Sequence, residues 1–209
     1  MTTKKHHRTM LCLGDSYTIG EAVDSDERFA HQAVKLLAAK GLYFEIPHII
    51  AQTGWTTDEL AAAIRQQNIQ KKFDAVTLLI GVNNQYRGRT VEEYRKEFAA
   101  LLQTALQFAN NIPEHVFVLS IPDWSVTPFA RNDRRSASEI STQIDLFNEA
   151  ARNICRQHRV PFLDVTTYSR RAATDPALLA KDGLHPSGAM YRWWAEQLAE
   201  LMLQTYPFR

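Results

Sequence analysis

Gly14-Asp15-Ser16 directly follows an apolar run at residues 9–13, and Asp182-Gly183-Leu184-His185-Pro186 stands near the other end of the chain. A serine hydroxyl is a weak nucleophile until a base takes its proton, and a histidine does this near neutral pH once a carboxylate fixes its tautomer. Ser16, His185 and Asp182 are of the types those three roles need. The three-residue spacing of Asp182 and His185 lets the carboxylate reach the imidazole through a local turn, which Pro186 stiffens. Asp164 is a rival partner for His185, but it would have to reach across the connection 166–181, so Asp182 is the expected one. Acyl transfer also needs donors aimed at the developing oxyanion. The candidates are the N–H of Ser16, the N–H of Gly54 in Gln52-Thr53-Gly54-Trp55-Thr56, and the side-chain amide of Asn83 in Gly81-Val82-Asn83-Asn84. Trp55, Asn84 and Trp124, beside these segments, are candidates for lining a substrate pocket. Alone, Ser16 reads equally well as a helix N-cap and Asn83 as a turn or cap residue, while Gly54 reads better as a turn residue and His185 as a structural or surface imidazole. Their convergence from separate parts of the chain carries the functional reading.

That convergence requires a particular arrangement of elements. Apolar runs at 9–13, 44–50, 75–80, 116–121 and 160–165 read as buried strands. Between them, apolar residues recur at three- and four-residue spacing, as in Val91-Tyr94-Phe98-Leu101-Leu102-Ala105 and Ile140-Ile144-Phe147-Ala151-Ile154, and Tyr191-Trp194-Leu198-Leu201 closes the chain in the same way. Strands alternating with helices imply a parallel sheet covered on both faces, because parallel neighbours need a crossover connection. Right-handed crossovers then favour a doubly wound, flavodoxin-like order 2-1-3-4-5, with ligands at the carboxyl ends of the strands. Ser16, Gly54, Asn83 and the Asp182/His185 pair each lie beyond such an end. The long connection 122–137, with Trp124, Phe129, Arg131, Arg134 and Arg135, is expected to border the same crevice.

Composition narrows the function classes. The 209 residues carry no low-complexity linker and read as a single domain, 1–209. A net charge of +1 gives no electrostatic case for a nucleic acid or an anionic membrane as partner, and no stretch approaches the roughly 20 apolar residues of a membrane span. The basic start at Lys4-Lys5-His6-His7-Arg8 is followed by too short an apolar run for a signal sequence, and Cys12 and Cys155 read as buried thiols. The expectation is a cytoplasmic protein. There is no P-loop, no Gly-x-Gly-x-x-Gly after a strand and no His or Cys spacing of a metal site, so neither a cofactor nor a metal is expected. A flavodoxin-like FMN-binding protein, with the Ser16-Tyr17-Thr18 turn on the phosphate, is the rival from another class. It leaves Asn83 and Asp182-x-x-His185 unexplained.

On Gly14-Asp15-Ser16, Gly54, Gly81-Val82-Asn83 and Asp182-Gly183-Leu184-His185-Pro186, in that order, the chain resembles the SGNH hydrolases, the GDSL-type esterase and lipase family. The resemblance implies a three-layer α/β/α fold and metal-free hydrolysis of a carboxylic ester through an acyl-enzyme. It implies Ser16 as nucleophile, His185 with Asp182 as base, and Ser16, Gly54 and Asn83 as oxyanion donors. The chain departs from the family pattern at Asn84, where an aspartate is common, and at Tyr17-Thr18-Ile19-Gly20-Glu21, which replaces a longer lipase-like signature. The expected substrate is a small-molecule ester, simple or carbohydrate-borne, because no extended apolar lid is visible. Lysophospholipid or thioester cleavage and acyl transfer would use the same machinery.

Overall fold

The computed structural model describes residues 7–205, so Lys4, Lys5 and His6 of the basic start lie outside the described residues. Five strands, β1 (Met10–Gly14), β2 (His48–Ala51), β3 (Ala75–Leu79), β4 (Val116–Leu119) and β5 (Phe162–Leu163), form one parallel sheet in the order β2-β1-β3-β4-β5. This is the order expected from the alternation of patterns. β1 and β3 are buried along their whole length, as strands covered on both faces must be, and that is why they read as unbroken apolar runs. Gly14 is in register with both Ala51 and Leu79. Three neighbouring strands therefore end level, and the residues that follow them emerge in one row.

β3 and β4 stop one and two residues short of their apolar runs, and two other expected strands are cut back further. In the run 44–50 regular pairing covers only the end, while Phe44 makes an isolated parallel bridge to Arg8. Pro47 has no N–H to donate and Ile46 turns out to solvent, so the ladder breaks between the two pairings. In the run 160–165 only Phe162 and Leu163 pair, on the sheet edge, with Pro161 contributing its carbonyl to Val118 N–H at 3.0 Å. Asp164 has already left the strand, accepting from Thr167 N–H at 3.1 Å.

Helices α2 (Phe29–Ala39) and α8 (Gly188–Thr205) pack together as one layer, and α3 (Thr57–Gln67), α5 (Val91–Phe108) and α6 (Ala137–Gln157) form a row as the other. Helix α5 buries Tyr94, Phe98, Leu101, Leu102 and Ala105, the stripe that its sequence spacing predicts. The starts of α3, α5 and α6 are each fixed by a capping box, Thr56 with Glu59, Thr90 with Glu93 and Ser136 with Glu139, which satisfies backbone donors at each end. Three short helices, α1 (Ser16–Ile19), α4 (Val82–Tyr86) and α7 (Thr166–Ser169), follow β1, β3 and β5. The connection 122–137 is an ordered wall of short helical turns, Trp124–Val126 and Pro128–Asn132. Cys12 and Cys155 are free thiols, and burial pushes both up to about 12. Among the described residues no helix is long and apolar enough to cross a membrane.

Candidate active site

Ser16 is the first residue of α1, and the cap before it is Asp15. The Asp15 carboxylate accepts from Tyr17 N–H at 3.0 Å, and its carbonyl accepts from Thr18 and Ile19 N–H at 3.0 and 3.1 Å. The Ser16 hydroxyl is therefore not needed as an N-cap. Its own N–H, at the first helical position, is a donor that the helix does not use. The turn is tight enough to need glycine before it: a Cβ on Gly14 would meet Thr18 Oγ1 at 2.1 Å and the Leu79 carbonyl at 2.3 Å. The same bonds bear on the flavin alternative, since two of the N–H groups that a phosphate would require in the Ser16-Tyr17-Thr18 turn, those of Tyr17 and Thr18, are directed at Asp15, which leaves that of Ser16. Asp15 itself is completely buried, and its second oxygen has no partner among the described residues. Burial raises its pKa to about 7, against the opposing pull of the Tyr17 N–H.

His185 lies beyond the fifth strand, in a turn built by Asp182. One Asp182 oxygen accepts from the N–H groups of Leu184 and His185, both at 3.0 Å, and the other is 2.6 Å from His185 Nδ1. With Nδ1–H donating to the carboxylate, Nε2 is left as the basic nitrogen. Burial pushes the Asp182 pKa up, but the imidazole and the two backbone N–H groups outweigh it, and the net shift is downward. Asp182 thus remains an anion that holds the ring in one tautomer. The ring is buried, with its centre 5.5 Å from that of the Tyr17 ring at 61° and the His185 carbonyl accepting from Ala180 N–H at 2.8 Å. Asp164 is engaged elsewhere, by Thr167 and, at 3.6 Å, by Arg152.

Asn83 and its helix are tied to the Gly54-Trp55 turn. Asn83, on α4, donates through Nδ2 to the Trp55 carbonyl at 2.9 Å, and Arg87 donates to the Gly54 carbonyl at 2.6 Å while pairing with Glu59 at 3.1 Å. Gly54 holds φ at +85°, a conformation that favours glycine. The Asn83 amide has a second N–H beyond the one given to Trp55.

Ser16, Gly54, Asn83 and His185 line one cavity of about 140 Å³, whose remaining wall is largely apolar, with Tyr86, Trp124 and Phe129 prominent in it. Of the three residues expected to line the pocket, Trp124 does so and two are placed elsewhere. Trp55 packs half-buried against the core. Asn84 is fully buried, accepting from Thr57 N–H at 3.1 Å and donating to Thr57 Oγ1 at 2.6 Å, so it fastens the start of α3 to α4. Thr57 Oγ1 in turn donates to Glu97. Tyr86 is one of the lining residues that sequence reasoning missed, with Tyr17, Thr53, Val82 and Leu184. Tyr86 stands one helical turn after Asn83, a relation visible only once 82–86 is known to be a helix. Among the described residues no three His, Cys, Asp or Glu side chains come together as a metal site.

A hydroxyl, an imidazole oriented by a carboxylate, and amide donors around one recess are the parts needed to form and collapse a tetrahedral intermediate. The comparisons with known proteins agree with this chemistry. The model of the GDSL-like lipase/acylhydrolase family matches residues 12–193. Among solved structures, a lipase/acylhydrolase from Enterococcus faecalis is 22% identical with a TM-score of 0.73, covering 97% of this chain and 99% of its own. The acetylxylan esterase Axe2 from Geobacillus stearothermophilus is 19% identical with a TM-score of 0.68, covering 99% and 98%. The psychrotrophic esterase EstA from Pseudoalteromonas sp., in a structure inhibited by monoethylphosphonate, is 16% identical with a TM-score of 0.71, covering 94% and 97%. At these identities the likeness is one of fold. No curated protein sequence matches the chain.

Proposed function

The chain belongs to the GDSL-like lipase/acylhydrolase family, and on that premise we propose that it is a serine esterase acting on a small or carbohydrate-borne carboxylic ester through an acyl-enzyme. His185 Nε2 takes the Ser16 proton as Oγ attacks the ester carbonyl. The oxyanion is received by the N–H groups of Ser16 and Gly54 and the free N–H of the Asn83 amide. His185 then protonates the departing alkoxide. A water, deprotonated by the same nitrogen, attacks the acyl-enzyme and releases the acid and free Ser16. Asp182 stabilises the imidazolium in both halves. The observation that carries this reading is the 2.6 Å contact from Asp182 to His185 Nδ1, with Ser16, Gly54, Asn83 and His185 on one cavity.

The acetylxylan esterases among the structural neighbours make an acetylated sugar a reasonable member of the substrate class. Measuring acid release from p-nitrophenyl esters, thioesters and acetylated xylo-oligosaccharides tests the proposal. The esterase reading expects turnover of the oxygen esters that depends on Ser16. Turnover confined to thioesters, or product formed only when a second alcohol is supplied, would move the reading to a thioesterase or an acyltransferase.

A further inference from the structure

One wall of the cavity is made of three mutually packed rings. Trp124 lies 5.5 Å from Tyr86 at 74° and 5.9 Å from Phe129 at 66°, and Tyr86 and Phe129 are 6.0 Å apart. Trp124 is 2% exposed and forms the floor, whereas Tyr86 at 46% and Phe129 at 38% form a rim open to solvent. Large apolar side chains left exposed around a concave site are a sign of something that covers them.

The floor is held rigidly. Trp124 Nε1–H donates to Gln85 Oε1 at 2.9 Å, and Gln85 Nε2 donates to Gln143 Oε1 at 2.7 Å. Arg135 stands 5.5 Å from the Trp124 ring and 6.0 Å from that of Tyr86, donating to Gln143 Oε1 at 3.2 Å and to both oxygens of Asp133 at 2.9 Å. The guanidinium is therefore occupied with holding the rings and is not a clamp for an anionic substrate. What the recess presents to a ligand is hydrocarbon.

We infer that Tyr86, Trp124 and Phe129 form a specificity pocket for one compact, uncharged apolar group beside the scissile bond, no larger than a phenyl ring or a chain of about six carbons. The inference rests on the esterase reading of Ser16 and adds a substrate class to it. The size follows from volume: an apolar cavity of about 150 Å³ holds one benzene, and the cavity here is about 140 Å³, part of which the ester itself must fill. A longer chain has to leave over the Tyr86 and Phe129 rim into water. The group belongs to the acyl side or the alcohol side of the ester, and two substrate series separate these.

The test measures kcat/KM for p-nitrophenyl acetate, butanoate, hexanoate and decanoate, and for ethyl, butyl, hexyl and decyl acetate, with the wild-type protein, Tyr86→Ala and Phe129→Ala. Both positions are exposed enough for the variants to fold, which thermal melting verifies. In one of the two series the wild type should gain about two- to fourfold per added methylene up to four to six carbons and then lose activity by ten. In that series the ratio of six-carbon to two-carbon activity should fall at least threefold in each variant. A wild-type profile that is flat in both series, or still rising at ten carbons, overturns the inference, as does a ratio unchanged within twofold in both variants. Absence of turnover with every ester would instead contradict the esterase reading itself.

Discussion

Replacing Asp15 by Asn should make the protein more stable at neutral and alkaline pH and leave it unchanged in acid. The carboxyl is completely buried with one oxygen unpartnered, and burial raises its pKa from 3.8 to about 7. Between those two values the folded state keeps a proton that the unfolded chain has released. Stability contributed by this group is therefore present in full below pH ~4 and is lost as pH rises through ~7, at about 1.4 kcal/mol per pH unit. The full loss is about 4 kcal/mol, a large share of the 5–15 kcal/mol typical of folded domains. Asn keeps an oxygen for the Tyr17 N–H, now bonded at 3.0 Å, and has no charge to bury. Urea unfolding of the wild type and Asp15→Asn at intervals from pH 4 to 8.5 measures the effect as a difference between the two curves. The difference is the right quantity because His31 and His115, both lowered by burial, impose an opposite slope near pH 6 that is common to the two proteins. The expected difference grows with pH and levels off above about pH 7. A difference that is constant across this range would mean that Asp15 does not keep a proton in the folded protein.

Three further outcomes follow from the hydrogen bonds of the site. Asp182→Asn should lower kcat by up to about 10⁴-fold, because the bond from His185 Nδ1 that sets the tautomer is replaced; Asp164→Asn should change the melting temperature and not the rate, which parallel kinetics and melting curves decide. Asn83→Ala should lower kcat by about 10²- to 10³-fold with KM little altered, and a raised KM with normal kcat would make Asn83 a ground-state binding residue. Asn84→Ala should cost about 1–3 kcal/mol of stability by leaving the buried Thr57 N–H unsatisfied, with a smaller kcat loss than Asn83→Ala; a larger one would mean that the wrong amide had been assigned to the oxyanion.

The sheet order and the three inner strands were legible in the sequence because burial on both faces makes a strand an unbroken apolar run. The second and fifth runs overstate their strands, since apolarity says nothing of pairing and Pro47 and Pro161 supply no N–H to a ladder. The Asp182–His185 contact was legible because it is local. Pocket lining was not, because adjacency along the chain is not adjacency in direction. Consecutive side chains on a helix point about 100° apart, so Asn84 faces Thr57 while Asn83 faces the cavity, and Tyr86 shares the cavity by standing three residues on. The burial of Asp15 had no signal in its neighbours. It is set by how α1 packs against the ends of β1 and β2.

Every step of the proposed hydrolysis depends on Ser16 as the nucleophile. Incubating the protein with a fluorophosphonate and mapping the adduct by peptide mass spectrometry tests that role most directly. A single phosphonylated residue, Ser16, is expected, with loss of turnover in step with labelling, and a folded Ser16→Ala protein that neither labels nor turns over ester. Modification at another residue, or a Ser16→Ala protein that hydrolyses ester at a rate near that of the wild type, would contradict it.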